Sequence, residues 1–348
     1  MIGRVSTTAI AAAMLAGGSA QAESITLNVS GLVSTHVHHS AAEEAFYDGL
    51  AERTGLDLTM NYNPLDVIGV SMDDTLRFAG DGTFDIVQST LGNVARDEAF
   101  IDGLDLIGIS PTMEDARAVV DAFREPYTER VAASNNAHTL TIFPYGPQLI
   151  FCNDEVTGLA DLEGQRVRSY TRTMSALLEH LGATPVSMPF AEVYQSLQRG
   201  VVDCAITSIT SANTGSWPEL TDYVLTIGLS YGQNSHFINL DTWNSMSEEA
   251  REAMTTAFRE FEDELWALTE EMYDDAMRCS TGQQPCEHYN EYEMTAVEPS
   301  EEDMALFAEA SEAVVLEVWA DACSPTEECV DIWNDTVGAV RGMEMAAN

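Results

Sequence analysis

The chain has 348 residues, 45% of them hydrophobic, with 57 acidic residues and a formal net charge of −42; all 15 basic residues are arginine, since no lysine occurs. Such a surface repels nucleic acid and anionic lipid headgroups, which both need a basic footprint, and it suits high salt, where screening removes self-repulsion. The length suffices for a large core divided into two domains or lobes.

The first 22 residues hold one arginine, a short apolar run and the sequence Ala20-Gln21-Ala22. That pattern is a secretory signal peptide with an A-x-A cleavage site; a buried N-terminal helix is the alternative. Cleavage after Ala22 leaves a chain starting at Glu23. No cysteine follows that site, so no lipid anchor is expected there. No later stretch reaches the ~18–20 apolar residues of a membrane span.

Residues 24–30 alternate as a strand, and 40–55 form an amphipathic helix stopped by Gly55. The next segment, 56–62, reads as a strand, 71–82 as a helix ending in glycine, and 84–90 as a third strand. This β-α-β-α-β run predicts a parallel sheet flanked by helices. A helix over 115–134 and a strand over 138–146 complete the first unit. In a second unit, 148–153 and 165–170 are strands, and two helix, glycine turn and strand repeats follow, the last through 201–207. Residues 236–240 read as a strand returning to the first unit. Beyond it, Ser247 caps a helix with Glu248 and Glu249 in its first turn, which suits the positive end of the helix dipole. Ala250, Met254, Ala257, Phe261, Leu265, Leu268, Met272 and Ala276 recur at helical spacing. About 30 residues at 1.5 Å each span roughly 45 Å, enough to brace two lobes; the stripe lacks the strict a/d alternation of a coiled coil.

Six cysteines fit an oxidising compartment. The short spacings Cys279–Cys286 and Cys323–Cys329 read as disulfides across turn residues. Cys152 and Cys204 sit in separate strand-like runs and bridge only if those strands are neighbours, which sequence does not fix. A zinc site would want C-x2-4-C pairs, and none occurs. Nor is there a G-x-S-x-G, HExxH or glycine-rich phosphate loop, so nothing points to an enzyme and no cofactor is implied.

Over residues 159–243, the segments LADLEGQRVRSY, LGATPVSMPFAEVYQSLQRGVVD, WPELTDYVL and INLDTWNSMSEEAR resemble the periplasmic substrate-binding subunits of TRAP (tripartite ATP-independent periplasmic) transporters. The densest likeness runs from Pro189 to Asp203, with Tyr194, Leu197, Gln198 and Gly200. The resemblance implies an α/β, two-lobed, type II-like periplasmic binding protein fold, with lobes joined by crossing strands and a lobe-spanning helix. It divides the chain into lobe I, 23–145 and 233–272, and lobe II, 146–232 and 273–348. It implies a periplasmic receptor that closes on a small organic acid and hands it to membrane permease subunits driven by an ion gradient; a monomer is expected, although the sequence does not fix the oligomeric state. A two-lobed receptor for another importer or for a sensor is the alternative.

Arg168 ends the strand QRVR, and in open α/β sheets ligands bind at the carboxyl ends of strands. Guanidinium is planar, permanently charged and grips carboxylate bidentately; by the resemblance, the arginine of this motif holds the ligand carboxylate. Arg166 shares its strand face and is expected to be the motif's basic surface residue. Thr207 falls where the family commonly has an asparagine that bonds ligand, and its hydroxyl offers one bond. Gln148 falls where some members carry a second arginine, so one arginine instead of two favours a monocarboxylate. Thr90, at a strand end, faces the cleft or caps a helix. Tyr145, Tyr170 and Trp217 are candidate walls, each with apolar area and a polar tip. His36, His38 and His39 lie in the first strand-to-helix loop, which would overhang the cleft. His36 or His39 is expected to touch ligand, while a metal site using the three imidazoles is the alternative, short of the three or four ligands a metal needs unless all converge.

Overall fold

The computed structural model describes residues 24–96, 98–323 and 328–346; the expected signal peptide lies outside the described residues. Eleven strands among these form two mixed sheets. The first contains β1 (Ile25–Gly31), β2 (Leu58–Pro64), β3 (Ile86–Thr90), β4 (Ala137–Pro144) and β10 (Gln233–Asn239) in the order β2-β1-β3-β10-β4. The second contains β5 (Gln148–Cys152), β6 (Arg166–Ser169), β7 (Thr184–Ser187), β8 (Cys204–Ser208), β9 (Tyr223–Leu225) and β11 (Thr295–Val297) in the order β11-β9-β5-β8-β6-β7. β1 runs parallel to β2 and β3, and β6 parallel to β7 and β8. Helices supply those crossovers, because a parallel pair cannot be joined by a tight turn.

β10 enters the first sheet antiparallel to both neighbours, and β5 the second likewise. Each is the strand that has just arrived from the other unit. The two connections, 145–147 and 226–232, run side by side: Tyr145 N–H donates to Gly232 O and Gly146 N–H to Tyr231 O, both at 3.1 Å, and Gln148 N–H to Ser230 O at 2.8 Å. Gly146 (φ 106°) and Gly232 (φ 61°) take backbone angles that L side chains rarely adopt, so glycine is what lets both chains turn here. A Cβ on Gly232 would also lie 2.5 Å from Gln148 Nε2.

The third connection is the helix Glu248–Ser280, with Ser247 accepting from Ala250 N–H as its cap. Its stripe is buried as expected, except that Leu268 is only partly so. Phe261 stacks on Phe46 with ring centroids 4.0 Å apart. The helix is pinned to β4 by polar bonds that periodicity does not reveal: Ile142 N–H donates to Glu262, and Trp266 Nε1 to Ile142 O. Fully buried Glu262 is paired with Arg124 at 2.5 Å, and Arg117 and Arg259 lie within 4 Å. The C-terminal helices return to the first unit, where Trp319 and Trp333 donate to Ala99 O and Gly103 O.

Three disulfides are present, Cys152–Cys204, Cys279–Cys286 and Cys323–Cys329. The open question of Cys152 and Cys204 is answered by register: β5 and β8 are antiparallel neighbours that place the two cysteines directly opposite. Several element boundaries differ from expectation, and two elements matter here. β10 starts three residues early, at Gln233, and Leu240 already begins the next helix. The first helix starts at Val37, not residue 40, so the HVHH segment is its first turn rather than a loop.

Candidate functional site

The ends of β3, β6 and β8 and the start of β5 converge between the two sheets. The void there measures about 340 Å³, open solvent at its mouth included. Seven of the nine expected residues line it: His36, Thr90 and Tyr145 from the first unit, and Gln148, Arg168, Tyr170 and Thr207 from the second.

Arg168 is 3% exposed, the one buried arginine among the described residues. Burial brings its guanidinium down to about 10, with Tyr170 opposing, so it stays charged at neutral pH. Nη1 donates to Ile206 O at 2.7 Å and Nε to Met188 O at 3.2 Å, and the guanidinium lies 4.9 Å from the centre of the Tyr170 ring. Among the described residues, no carboxylate stands within ion-pair distance of it. A buried cation held by two carbonyls and a ring face is costly unless an anion joins it. Arg166, two residues earlier, is exposed and engaged with Asp203, which takes Arg166 Nε at 2.9 Å.

Gln148 is fixed from both sides. Its Nε2 donates to Gly146 O, and its Oε1 accepts from the Tyr170 hydroxyl, each at 2.9 Å. The Thr207 hydroxyl has no hydrogen-bond partner among the described residues. Thr90 precedes a short helix but does not cap it; its hydroxyl donates to Asn234 Oδ1 at 2.9 Å. The Tyr145 hydroxyl is buried without a hydrogen-bond partner of good geometry, although Thr90 and Gln88 stand close enough to oppose the upward push of burial on it.

His36 packs its ring 4.4 Å from Tyr145 and 5.9 Å from Phe190. Burial lowers it to about 4, against a smaller pull from Asp66, so the ring is neutral at physiological pH. His39 and Trp217 do not line the void. The helical first turn swings His39 towards the long helix, where its Nε2 meets Thr269 Oγ1 at 2.9 Å. Thr269 spends its own proton on a carbonyl, so His39 Nε2 is the donor. Burial first, then His36 and His38, lower it to about 3. Trp217 sits one layer back, stacked on Phe190 at 5.3 Å and edge-on to Phe151. His38 reaches a third place, His288 O at 3.2 Å. The three imidazoles have different closest partners, although His36 and His39 both meet the Tyr145 ring, and no cluster of three or more metal-binding side chains occurs among the described residues.

Phe190, Asn93, Met72 and Ser211 complete the wall and were not anticipated. Phe190 opens a helix directly after Pro189, so a proline-bounded helix start aimed at the sheet ends is the signal that marks it. A second void of about 970 Å³, again counting open solvent, adjoins the first through Asn93 and Tyr170 and is lined by Arg96, Asp102 and Arg172.

No described helix is long and apolar enough to cross a membrane. The model of the family "Bacterial extracellular solute-binding protein, family 7" matches residues 30–322. The ectoine-binding periplasmic protein TeaA of Halomonas elongata is 23% identical over 145 residues, 41% of each chain; the chain thus spans less than half of that relative. The 2,3-diketo-L-gulonate-binding periplasmic protein YiaO of Escherichia coli is 25% identical over 65% of this chain and 69% of its own. Two solved structures share the fold. A TRAP solute-binding protein of Desulfovibrio salexigens with bound orotic acid superposes with TM-score 0.80 at 16% identity, covering 90% of this chain and 99% of its own. The DctP7 receptor of Bordetella pertussis, which binds pyroglutamic acid, gives 0.78 at 15%, covering 89% and 99%. With the family model matching well over half of its length, the chain belongs to the bacterial extracellular solute-binding proteins of family 7, the solute receptors of TRAP transporters.

Proposed function

We propose that this chain is an exported receptor, not an enzyme, that captures a small monocarboxylate between two lobes and delivers it to a TRAP-type permease. The observation that carries the reading is Arg168, a buried cation without an anionic partner among the described residues, at the end of a sheet strand. Gln148 fills the place of a second arginine and is neutral, so one ligand carboxylate balances the site. Relatives that bind orotic acid, pyroglutamic acid and 2,3-diketo-L-gulonate support an organic acid as the ligand class. Thr207, Gln148, Thr90, Tyr145, Tyr170 and His36 serve as the contacts, with Trp217 backing Phe190. The lobes comprise 23–145 with 233–272 and 146–232 with 273–348, the C-terminal helices of the second reaching back onto the first, after cleavage behind Ala22; the protein acts as a monomer in the periplasm. The lobes hinge at the paired crossovers around Gly146 and Gly232. Closure requires that ligand bind the closed state better than the open one, and an arginine–carboxylate pair made away from water supplies that difference.

A thermal-shift screen of small carboxylates followed by calorimetry tests this. A bound acid raises Tm by mass action. Arg168→Ala should cut its affinity by about tenfold or more, about 1.4 kcal/mol, and leave the Tm of the free protein nearly unchanged. The free protein tolerates the change because removing an unpaired buried cation relieves a desolvation cost that offsets lost packing. Equal affinity of variant and parent would overturn the assignment.

A further inference from the structure

We propose that Gly92 is a positioning residue for capture: its bare Cα is the point at which the two units meet when the cleft closes, and a side chain there holds the cleft open. This rests on the reading of the protein as a receptor that closes on its solute, and goes on to what limits the closure.

Gly92 lies in the short helix Leu91–Val94, which follows β3 directly and so belongs to the unit of the first sheet. Tyr170 and Thr171 follow β6 of the second sheet. The two sides come so near that a Cβ on Gly92 would stand 2.7 Å from Thr171 Cγ2 and 2.9 Å from Tyr170 Cε2, where carbon atoms in contact want about 3.5–4.0 Å. The backbone does not ask for glycine, because Gly92 is helical and is not among the glycines with positive φ. Only the neighbour across the cleft does.

That neighbour is held in place. The Thr171 hydroxyl accepts from Met174 N–H at 3.0 Å as the cap of the helix Arg172–His180. Tyr170 carries the Arg168 guanidinium over its ring and donates its hydroxyl to Gln148. Neither retreats without giving up the cap or the support of the arginine, so a methyl on Gly92 is accommodated by parting the units at their hinge. Gly92 and Thr171 line the adjoining void and not the one that holds Arg168. A change at Gly92 therefore acts on closure and removes no solute contact. Other contacts across the cleft, Arg172 Nη2 to Arg96 O at 3.4 Å and His38 Nε2 to His288 O at 3.2 Å, are made by side chains that can swing aside.

Two experiments on the whole mature protein test this, the first without any solute. Stepping one bond back from Thr171 Cγ2 puts its Cβ at most about 4.2 Å from a Cβ on Gly92, a gap that a disulfide spans. The six natural cysteines are paired with one another, so in the double variant Gly92→Cys, Thr171→Cys the new thiols have only each other. Mild oxidation should link them, as read by mass spectrometry; folded variant that stays unlinked overturns the inference. In the second, Gly92→Ala should keep or raise the Tm of the free protein, because alanine suits a helix better than glycine. With orotate and pyroglutamate as probes, each acid that binds the parent should bind this variant roughly fivefold or more weakly, through faster dissociation. Adding Thr171→Ser keeps the capping hydroxyl and removes Cγ2, and should recover part of the loss. Parent-like affinity, a loss that comes with a lower Tm, or one that Thr171→Ser leaves unrepaired overturns the inference. A parent that binds neither probe counts instead against the organic-acid reading, and the cross-link alone then decides the role of Gly92.

Discussion

Asp102 and Asp105 stand behind the cleft on the turn that ends the Ala99–Leu104 segment, where Asp105 holds the second crossover through Tyr231 N–H and Gln233 N–H. Burial, reinforced by Asp105, pushes the Asp102 carboxyl up to about 7 against the pull of Arg172, and burial pushes Asp105 up to about 6. A carboxyl raised on folding contributes stability below its unfolded value, 3.8 here, and loses it as pH rises through the folded one. Asp102→Asn should therefore raise Tm by on the order of a few degrees at pH 8, with the gain shrinking as pH falls towards 4; scanning calorimetry across that range checks it, and a constant gap would refute it. Neither aspartate stood out in the sequence, because nothing local marks a carboxyl that distant elements bury. Arg168 and Thr90 fall on the void where strand-end reasoning expected them, since strand ends are visible in the sequence and α/β sheets place sites there; Thr207 was placed there through the family resemblance. Phe190 lines the void without having been singled out, and Trp217, expected as a wall, stands one layer behind it; both are aromatics near helix starts. Only the packing, with Phe190 on the void and Trp217 stacked behind it, tells them apart.

Elements with a long period were read closely, whereas the two three-residue strands were not. The helix Glu248–Ser280 offers nine turns of pattern and a cap, whereas β9 and β11 have three residues each, too few to show alternation. The first helix was expected from residue 40, yet Glu43 holds Leu32 N–H and His38 and His39 find partners in an earlier first turn. Here tertiary contacts outweigh a local signal. In the β5–β8 pair, Cys152 faces Cys204 at one end while Gln148 faces Ser208 at the other, cleft end. The bridge spans 52 residues of sequence, which chain entropy converts to roughly 4 kcal/mol at most. The double variant Cys152→Ala, Cys204→Ala should lower Tm by several degrees yet bind ligand with unchanged affinity, because the cleft ends of the strands keep their own ladder. A loss of binding in folded variant protein would show that the bridge reaches the site.

At the scale of the whole molecule, charge works against the anionic ligand proposed for this site. An anion approaches a protein of net charge −42, with Arg168 buried and most exposed arginines tied to acids, as in Arg53–Glu264 and Arg77–Asp74. The long-range field therefore repels it, and only the last few ångströms attract. Salt acts on these two ranges differently. The screening length falls from about 10 Å at 0.1 M to about 3 Å at 1 M, which suppresses the distant repulsion but weakens a buried pair far less. The association rate should accordingly rise with ionic strength, while dissociation, set by the closed cleft, changes little. Affinity then improves with salt, opposite in sign to steered, oppositely charged partners. Stopped-flow measurements between 0.05 and 1 M, spanning roughly that range of screening, separate the two rates. An association rate that falls as salt is added would mean that a positive local field at the cleft mouth outweighs the acidic whole.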